Sequence, residues 1–423
     1  MSTTSNESLR KHVRSCFPQL TEGQPIFLDN AAGSMVPARV INAVSNVLTS
    51  RGVCNSMTSY ASGREQIAVK HDAHEATALF VNAADASEIA IGPSSTAMSF
   101  RLAAACARNF TADAAVVISG LEHECNASPW RETSAEIRIW EPRWPEGQLF
   151  TDDLLPLLAD GRVRVVALTA CSNAFGLTTP VAAAAAITRA AGAIIVVDAV
   201  HSAPHELPDV RRDDIDCLLF SPYKIFAPHL GVLYVRSDLL QKLNVPTLWF
   251  YDKNIASKFE YGTPPFESLA GWTSAMQYLI EDVGGAVKGT PISRLSLENA
   301  YKVIATLEEP LVHLLISGFA AIHRVTIYGT HDITRRVGTL AFNIQNIAPD
   351  IVARRLFDKF SICVSSGHFY ATLPVTSLGL MPLGVVRVSI THYNTIEEIE
   401  KLIDAVKKIA AEVENISSSA SYS

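Results

Sequence analysis

Short, almost wholly apolar runs alternate with alanine-rich, helical stretches over the first 245 residues. Such runs are typical of strands buried on both faces of a parallel sheet. The stretch Ala182–Ala191, between two of them, predicts a crossover helix. This repetition predicts an α/β fold, with a mainly parallel sheet flanked by helices. The predicted strands are Glu88–Ile91, Ala115–Ser119, Val163–Thr169, Ala193–Val197, Cys217–Phe220 and Val232–Val235.

The pattern changes after Asn244. Residues Pro246–Pro265 are rich in aromatic and turn residues and predict a loop region. Helical stretches follow, and then short strands mixed with helices, which together predict a smaller α+β domain packed on the large one. The predicted helices are Ser268–Ile280, Leu295–Leu315, Pro349–Phe357 and Ile396–Val413, and the predicted strands are Val325–Tyr328, Gly338–Ile344 and Val385–Ile390.

These changes in the sequence pattern suggest where the chain divides into domains. We expect residues 1–25 to form an N-terminal segment that joins the small domain, and residues 26–265 to form the large domain. Residues 266–320 would be connecting helices, residues 321–416 the small C-terminal domain, and residues 417–423 a serine-rich flexible tail.

Composition narrows the class of protein. With 423 residues, 48% hydrophobic and 18% charged, the chain is of a globular type that can bury a large core. A net charge of −7 disfavours nucleic acid or an anionic membrane as the main partner. No apolar run reaches the roughly 18 residues of a membrane span. The polar N-terminus lacks the apolar core of a secretion signal. We therefore expect an intracellular, cytoplasmic protein.

The cysteines are odd in number, scattered, and never in a CxxC pair. This pattern argues against a disulfide framework and against a structural zinc site, so we predict no metal site. Most of the thiols are expected to be buried. They are Cys16, Cys54, Cys106, Cys125, Cys171, Cys217 and Cys363.

Two charged residues follow predicted strands. Asp198 ends one apolar strand, and Lys224 comes 26 residues later, just after another. Residues at the carboxyl ends of such strands line the ligand crevice of open α/β sheets. A lysine and a carboxylate placed there suit pyridoxal phosphate (PLP) chemistry, in which the lysine forms a Schiff base and the carboxylate keeps the pyridine nitrogen protonated. In isolation, the same residues would more often be a helix cap and a solvated loop lysine.

The wider context favours the cofactor. The chain resembles the class V, cysteine desulfurase-like PLP enzymes of fold type I, and the matching motifs occur in the family's order over nearly the whole chain. The DAVHSAPH and SSGHFYA motifs resemble most closely the desulfurase-like subgroup, which lies near isopenicillin N epimerase-like proteins. The motifs are LDNAAGS (Leu28–Ser34), GPSSTA (Gly92–Ala97), EHECN (Glu122–Asn126), CSNAFG (Cys171–Gly176), DAVHSAPH (Asp198–His205), FSPYK (Phe220–Lys224), YGTP (Tyr261–Pro264), SSGHFYA (Ser365–Ala371) and VRVSITHYNT (Val386–Thr395).

The resemblance assigns residues around the cofactor ring. Lys224 matches the Schiff-base lysine, which also moves protons at the substrate carbons. Asp198 matches the partner of the pyridine nitrogen, and His123 the histidine that stacks on the ring. Asn173 matches an asparagine beside the phenolic oxygen, and His201 stands where many relatives have a glutamine near that oxygen.

A phosphate group is well held at a helix N-terminus, and Ser94 and Ser95 precede a helical run. Ser221 fits the same site by its position before the lysine. Tyr223 replaces a histidine of the desulfurase relatives, and its hydroxyl would do the same work. Thr263 resembles a residue that the family donates from the neighbouring subunit, which implies a homodimer with a shared active site.

The resemblance also implies an amino-acid substrate. Arg387 matches the arginine that binds the substrate carboxylate through its planar fork, although a buried ion pair with an internal acid is an alternative. Asn30 is expected close to the same carboxylate. Asn55 and Tyr60 are expected to line the substrate pocket, with an ordinary loop as the alternative.

One position departs from the desulfurase pattern. The nucleophilic cysteine of those enzymes follows a Gly-His pair, and the aligned residue in this chain is Tyr370, which cannot carry a persulfide. Cys363 lies in an apolar strand-like run, and we expect it to be buried and not a substitute nucleophile. Tyr370 and His368 are expected to face the substrate, as acid/base groups or as walls of the pocket.

Several reactions remain open after loss of the Cα proton to give a quinonoid. Elimination or substitution at a side-chain carbon, of the C–S lyase kind, is favoured because the relatives act on cysteine-like amino acids. Epimerisation, transamination and cysteine desulfuration are the alternatives. A non-catalytic protein that kept the cofactor pocket is a further one, disfavoured because Lys224, Asp198, His123 and Arg387 are all present.

Overall fold

The computed structural model describes residues 3–50, 59–250, 252 and 254–420 of the chain. Its strands fall into a large central sheet and two smaller sheets. They are β1 (Ile26–Phe27), β2 (Ile89–Gly92), β3 (Ala115–Ser119), β4 (Glu136–Trp140), β5 (Val163–Thr169), β6 (Ile194–Asp198), β7 (Cys217–Phe220), β8 (Gly231–Val235), β9 (Val325–Tyr328), β10 (Thr339–Ile344), β11 (Ile362–Cys363), β12 (Ser365–Gly367) and β13 (Val385–Ser389).

The central sheet has the strand order β2-β8-β7-β6-β5-β3-β4. Strand β8 runs antiparallel to both of its neighbours, and every other pair in the sheet is parallel. The predicted α/β architecture with a mainly parallel sheet is therefore confirmed. Because β5, β6 and β7 run the same way, their carboxyl ends meet at one edge of the sheet, where ligands of such sheets bind.

Helices cover both faces of this sheet. Val196 and Val197 are consecutive in β6 and contribute to two different hydrophobic clusters, one on each face. The helices are α1 (Thr3–Ser15), α2 (Ala38–Thr49), α3 (Ala61–Val81), α4 (Ser95–Ala107), α5 (Glu124–Arg131), α6 (Thr151–Leu158), α7 (Val181–Ala190), α8 (Ser237–Leu240), α9 (Phe266–Tyr278), α10 (Arg294–Ala320), α11 (Pro349–Phe360), α12 (Thr372–Ser377) and α13 (Ile396–Ala420).

The C-terminal part forms a second, smaller layer. Its antiparallel sheet has the order β12-β13-β10-β9, and α10, α11 and α13 pack on it around a separate hydrophobic cluster that includes Leu315, Leu356 and Leu402. Strand β1 joins this part through β11, and Asp29 bridges to Ser389. The expected α+β arrangement is confirmed here too.

Two helices bear on the organisation of the chain. In α1, Arg10 donates to the carbonyl oxygens of His392 (3.0 Å) and Leu307 (2.7 Å), and Arg14 donates to that of Tyr393 (2.7 Å).

Helix α10 is the one helix of the described residues with the length and apolar composition of a membrane span. Nearly half of that apolar stretch is buried within the protein, where it includes Leu311 and Leu315 of the small domain's hydrophobic cluster.

Candidate active site

Asp198 and Lys224 lie at the ends of neighbouring parallel strands. Strand β6 ends with Asp198, which pairs in register with Leu219 of β7, and Lys224 closes the single 3₁₀ turn after β7. Both side chains are buried, at 3% and 7% exposure. The 26-residue separation read from the sequence therefore does bridge adjacent strand ends, and it brings a carboxylate and an amine to the same edge of the sheet.

The environment of Lys224 favours its neutral form. Burial disfavours the ammonium ion, and the positive charge of Arg387 adds to this, so the pKa of Lys224 falls from 10.5 to about 8. Asp198 opposes the change with its negative charge. An amine with such a pKa is a competent nucleophile near neutral pH, which is the property required of a Schiff-base lysine.

A cleft of about 920 Å³ opens in front of Lys224. A smaller cavity of about 120 Å³ continues behind it and reaches Asp198 and His201. The predicted residues that line one or both spaces are Ser94, Ser95, His123, Asn173, Asp198, His201, Ser221, Tyr223, Lys224, His368, Tyr370 and Arg387.

Hydroxyl groups gather at the N-terminus of α4. Ser94 is the N-cap, and its Oγ accepts a hydrogen bond from Ala97 N at 3.1 Å. Ser95 Oγ and Ser221 Oγ lie 2.8 Å apart. The backbone of Gly231 in β8 touches this turn so closely that an added Cβ would stand 1.9 Å from Ser94 C. Donors of this kind at a helix N-terminus make an anion-binding surface.

His123 and His201 are both held by specific partners. His123 caps α5, and its Nδ1 accepts from Cys125 N at 2.9 Å. His201 Nε2 lies 3.0 Å from Thr339 Oγ1. Burial lowers the pKa of both imidazoles, with the charge of Lys224 a further cause, while Asp198 raises that of His123. Both rings are therefore neutral walls of the site.

Arg387 lies in strand β13 of the small sheet, and both of its Nη atoms have hydrogen-bond partners. Its Nη2 donates to Asp29 Oδ1 at 3.0 Å, and its Nη1 donates to Asn173 O at 3.1 Å. The guanidinium also stacks 4.0 Å from the Phe369 ring centre. The ion pair with an internal acid, one of the two readings from sequence, is present. Sequence reasoning missed Asp29 as its partner, although Asp29 stands in the LDNAAGS motif.

Two buried polar atoms in the cleft have no hydrogen-bond partner among the described residues. They are Arg387 Nε, a donor, and Asn173 Oδ1, an acceptor. Because buried polar groups are normally paired, these atoms mark places where a bound molecule would complete the site.

The segment with His368 and Tyr370 forms one wall of the cleft. Phe369 and Tyr370 have positive φ angles of 53° and 56°, and Tyr370 O accepts from Glu124 N at 2.7 Å. Tyr370 is 66% exposed, and its ring lies 5.6 Å from the His123 ring, centre to centre. The tyrosine therefore lines the cleft on the same side as His123.

Three predicted residues of the described part of the chain lie outside this arrangement. Asn30 is buried, donates to Ser389 O at 2.8 Å, and accepts from Tyr393, while Ala31 and Ala32 line the cleft in its place. Tyr60 and Thr263 are exposed and line neither space. Asn55 lies outside the described residues.

The cysteines differ in how close they lie to the cleft. Among the described residues that line the large cleft, Cys125 is the one cysteine. Its Sγ donates to Asp198 Oδ2 at 3.1 Å. Cys363 is half-buried in β11, away from the cleft lining, and burial raises the pKa of its thiol. Cys54 lies outside the described residues.

Elsewhere in the described part of the chain, His12, Cys16 and Asp282 bring their side-chain donor atoms within 4.8 Å of one another. Arg39 donates to Asp282 Oδ2 at 3.0 Å and also pairs with Glu281. The acid of this group is therefore already neutralised by a guanidinium, and the group lies away from the cleft.

The chain is similar to known proteins along nearly its whole length. The family model for aminotransferase class V matches residues 26–402. The aminotransferase-like protein FGM3 of Gibberella zeae is 30% identical over 411 residues, which cover 94% of this chain and 98% of that protein. A cysteine desulfurase of Klebsiella pneumoniae is 30% identical over 432 residues, with 94% and 98% covered.

Solved structures give the same picture of the fold. The apo cysteine desulfurase of Thermococcus onnurineus superposes with a TM-score of 0.84 at 24% identity, covering 95% of this chain and 98% of that one. The Escherichia coli cysteine desulfurase CsdA gives a TM-score of 0.80 at 24% identity, with 96% and 98% covered. Together with the family match, these findings show that the chain belongs to the class V aminotransferase family, as a PLP-dependent enzyme of fold type I.

Proposed function

We propose that the cleft in front of Lys224 is the active site and that the smaller cavity behind it receives the cofactor. The residues suit PLP chemically. Ser94, Ser95 and Ser221 offer hydroxyl donors at a helix N-terminus for the phosphate. Asp198 offers a buried carboxylate to the pyridine nitrogen. The unpartnered Asn173 Oδ1 offers a polar contact near the ring.

Further residues complete the proposed cofactor site. His123 would cover the ring, His201 and Asn173 would lie near its phenolic oxygen, and the Tyr223 hydroxyl would assist at the phosphate. When bound, PLP supplies an aldehyde that links covalently to amines and a ring that stabilises negative charge at the substrate Cα.

The remaining steps belong to residues of this chain. Lys224 would hold the cofactor, and as a free amine it would take the Cα proton, because its low pKa leaves a neutral amine available. Arg387 binds and orients the substrate carboxylate through its planar fork. His368 and Tyr370 face the substrate side chain.

We propose elimination or substitution at a side-chain carbon, of the C–S lyase kind, as the overall reaction. The observation that carries this proposal is Tyr370 on the cleft wall, where a persulfide-forming enzyme needs a thiol. Cys125 is no substitute, because its sulfur is buried and donates to Asp198. The names of the relatives keep cysteine desulfuration as the second candidate.

Product analysis with a panel of amino acids tests this function. We expect a β- or γ-substituted amino acid to release its side-chain leaving group together with a keto acid and ammonia, or to exchange that group for another nucleophile. Lys224→Ala is the matched inactive variant. A keto acid formed without release of the side-chain group would show transamination. An enzyme-bound persulfide formed from cysteine would show desulfuration, and either result would overturn the proposal.

We further propose that the enzyme is a cytoplasmic homodimer in which Thr263 serves the partner's site. Thr263 is exposed and lies away from the cleft of its own chain. Near it, Trp249 is 90% exposed and Phe250 and Leu248 are also exposed, which is the composition of an interface core. Light scattering should give twice the chain mass. Mixing Lys224→Ala with Thr263→Ala subunits should restore part of the activity that each variant lacks, and a monomer with full activity would contradict the proposal.

A further inference from the structure

We propose that Cys125 is a positioning residue for Asp198, whose sulfhydryl hydrogen bond weakens the carboxylate's hold on the proton of the cofactor's pyridine nitrogen. The inference rests on the proposed role of Asp198 and deepens it. It assigns a part in the chemistry to a thiol that the sequence pattern alone predicts only to be buried.

The contact is close and enclosed. Cys125 lies in the first turn of α5, and its Sγ is 3.1 Å from Asp198 Oδ2. Asp198 Oδ1 accepts from Val200 N at 2.8 Å. The cysteine is 8% exposed and lines both the cleft and the smaller cavity. Both oxygens of the carboxylate therefore have a donor before any ligand arrives.

The surroundings keep the thiol in its protonated form. Burial is the main cause, and the negative charges of Asp198 and Glu122 add to it, so the pKa of Cys125 lies well above its ordinary value. The charge of Lys224 acts in the opposite direction and is a smaller cause. Tyr223 also faces this group, and burial raises the pKa of its hydroxyl. A neutral thiol beside a carboxylate can act only as the donor of the pair.

Glu122 is the other acid close to this contact. Its carboxyl is engaged by Ser119 Oγ at 2.6 Å and Asn126 Nδ2 at 3.0 Å, and also by Thr169 N. Burial, followed by the charge of Asp198, raises the pKa of Glu122 to about 8. The thiol therefore stands between two acids, and its hydrogen bond goes to Asp198.

A carboxylate oxygen that accepts one hydrogen bond is a weaker partner for a second donor, because its negative charge is already partly stabilised. Asp198 would thus share the ring proton less completely than an undisturbed carboxylate. Less positive charge on the ring means a weaker electron sink, so Cys125 sets how strongly the cofactor stabilises charge at the substrate Cα.

The test uses holoenzyme loaded with PLP that carries ¹⁵N in the pyridine ring. The variants are Cys125→Ala, which removes the donor, and Cys125→Ser, which keeps one. Cys171→Ala is the matched control, since Cys171 is also a buried thiol that lines the smaller cavity. The readouts are the ¹⁵N chemical shift and the pH midpoint of the visible absorption band of the bound cofactor, and melting temperatures establish that each variant is folded.

With Cys125→Ala, we expect the ¹⁵N resonance to move towards the protonated value. The absorption midpoint reports the proton on the nitrogen that links Lys224 to the cofactor, and it should fall by about 0.5 to 1 pH unit because the nearby ring then carries more positive charge. Cys125→Ser should not move towards the protonated value, and Cys171→Ala should match the wild type. Bound cofactor with an unchanged resonance in Cys125→Ala, or an equal shift in Cys171→Ala, would overturn the inference. The proposed function is tested separately. If borohydride traps no pyridoxyl group on Lys224, the proposed function itself is wrong.

Discussion

Arg387, which lines the cleft, forms an ion pair with Asp29, with Nη2 donating to Oδ1 at 3.0 Å. The other oxygen of Asp29 accepts a hydrogen bond from Ser365. The residues are 358 positions apart, and the contact joins the segment just after β1 to strand β13 of the small sheet. The guanidinium therefore has a fixed orientation before any substrate arrives.

The first prediction concerns this orientation. Asp29→Ala removes a charge-assisted hydrogen bond, and we expect KM for the amino acid to rise about tenfold with a smaller change in kcat. Asp29→Asn keeps an acceptor for Arg387 and should stay close to the wild type. Arg387→Lys loses the planar fork and should raise KM further, by about 10- to 100-fold. Steady-state kinetics measure KM and kcat for all three variants. An Asp29→Ala enzyme with unchanged KM would show that Asp29 does not orient the arginine.

The second prediction concerns the reactivity of Lys224. With a pKa of about 8, about one tenth of the amine is neutral at pH 7, against about one part in 3,000 for an ordinary lysine. Competitive labelling of the cofactor-free protein with an amine reagent, read by peptide mass spectrometry, should give a midpoint near pH 8. Burial is the larger cause of the low pKa and Arg387 the second, so Arg387→Gln should raise the midpoint without restoring 10.5. A wild-type midpoint near 10.5 would contradict the proposed environment.

The third prediction concerns the contact of Gly231 with the turn at Ser94. In Gly231→Ala, the new Cβ would stand 1.9 Å from Ser94 C and 2.2 Å from Ser95 N, so the N-terminus of α4 must shift. We expect a loss of about 1–3 kcal/mol in unfolding free energy and weaker retention of PLP on dialysis. Gly161→Asn is the control, because Gly161 faces open space at a positive φ that asparagine tolerates. Equal cofactor retention by both variants would argue against a phosphate site at this turn.

The fourth prediction concerns pH and stability. His392 is fully buried between Tyr278 and Thr391, and burial, followed by the charges of Arg10 and His205, lowers its pKa to about 3. The unfolded chain takes up this proton near pH 6.5, whereas the folded chain does not. Folding stability should therefore fall as the pH drops from 6.5 towards 3.

At pH 5 this residue alone should cost about 2 kcal/mol relative to pH 7. In His392→Gln, stability at pH 7 should be lower, but the loss between pH 7 and pH 5 should be smaller than in the wild type. Urea unfolding at both pH values measures the difference, and the exposed His331→Gln is the control. Parallel pH profiles for the wild type and His392→Gln would disprove the assignment.

The strands that position the site were predictable because they are short apolar runs. Asp198 and Lys224 stood out as charged residues directly after such runs, and their strands are indeed neighbours. Strand β4 was missed, since Glu136–Trp140 forms an edge strand whose charged and apolar residues alternate. The order of strands and the reversal of β8 also depend on contacts distant in sequence, which periodicity does not report.

In the candidate site, too, single residues were predictable from the sequence but the contacts between them were not. Residues inside recognisable motifs could be selected singly, but their pairing could not, because a hydrogen bond such as that from Cys125 to Asp198 joins positions 73 residues apart. Asn30 illustrates the difficulty. It lies next to cleft residues in sequence, and its side chain binds Ser389 and Tyr393 in the interior.

Helix α1 makes its anchoring contacts with the far end of the chain. Arg10 and Arg14 donate to the backbone carbonyls of His392 and Tyr393, about 380 positions later. During synthesis on the ribosome, helix α1 therefore emerges long before these two carbonyls, and it can make these hydrogen bonds only after they have emerged. Its contacts with Leu307 and with the Leu279–Val283 turn can form earlier, so the carbonyls of His392 and Tyr393 complete a docking surface that is already partly built.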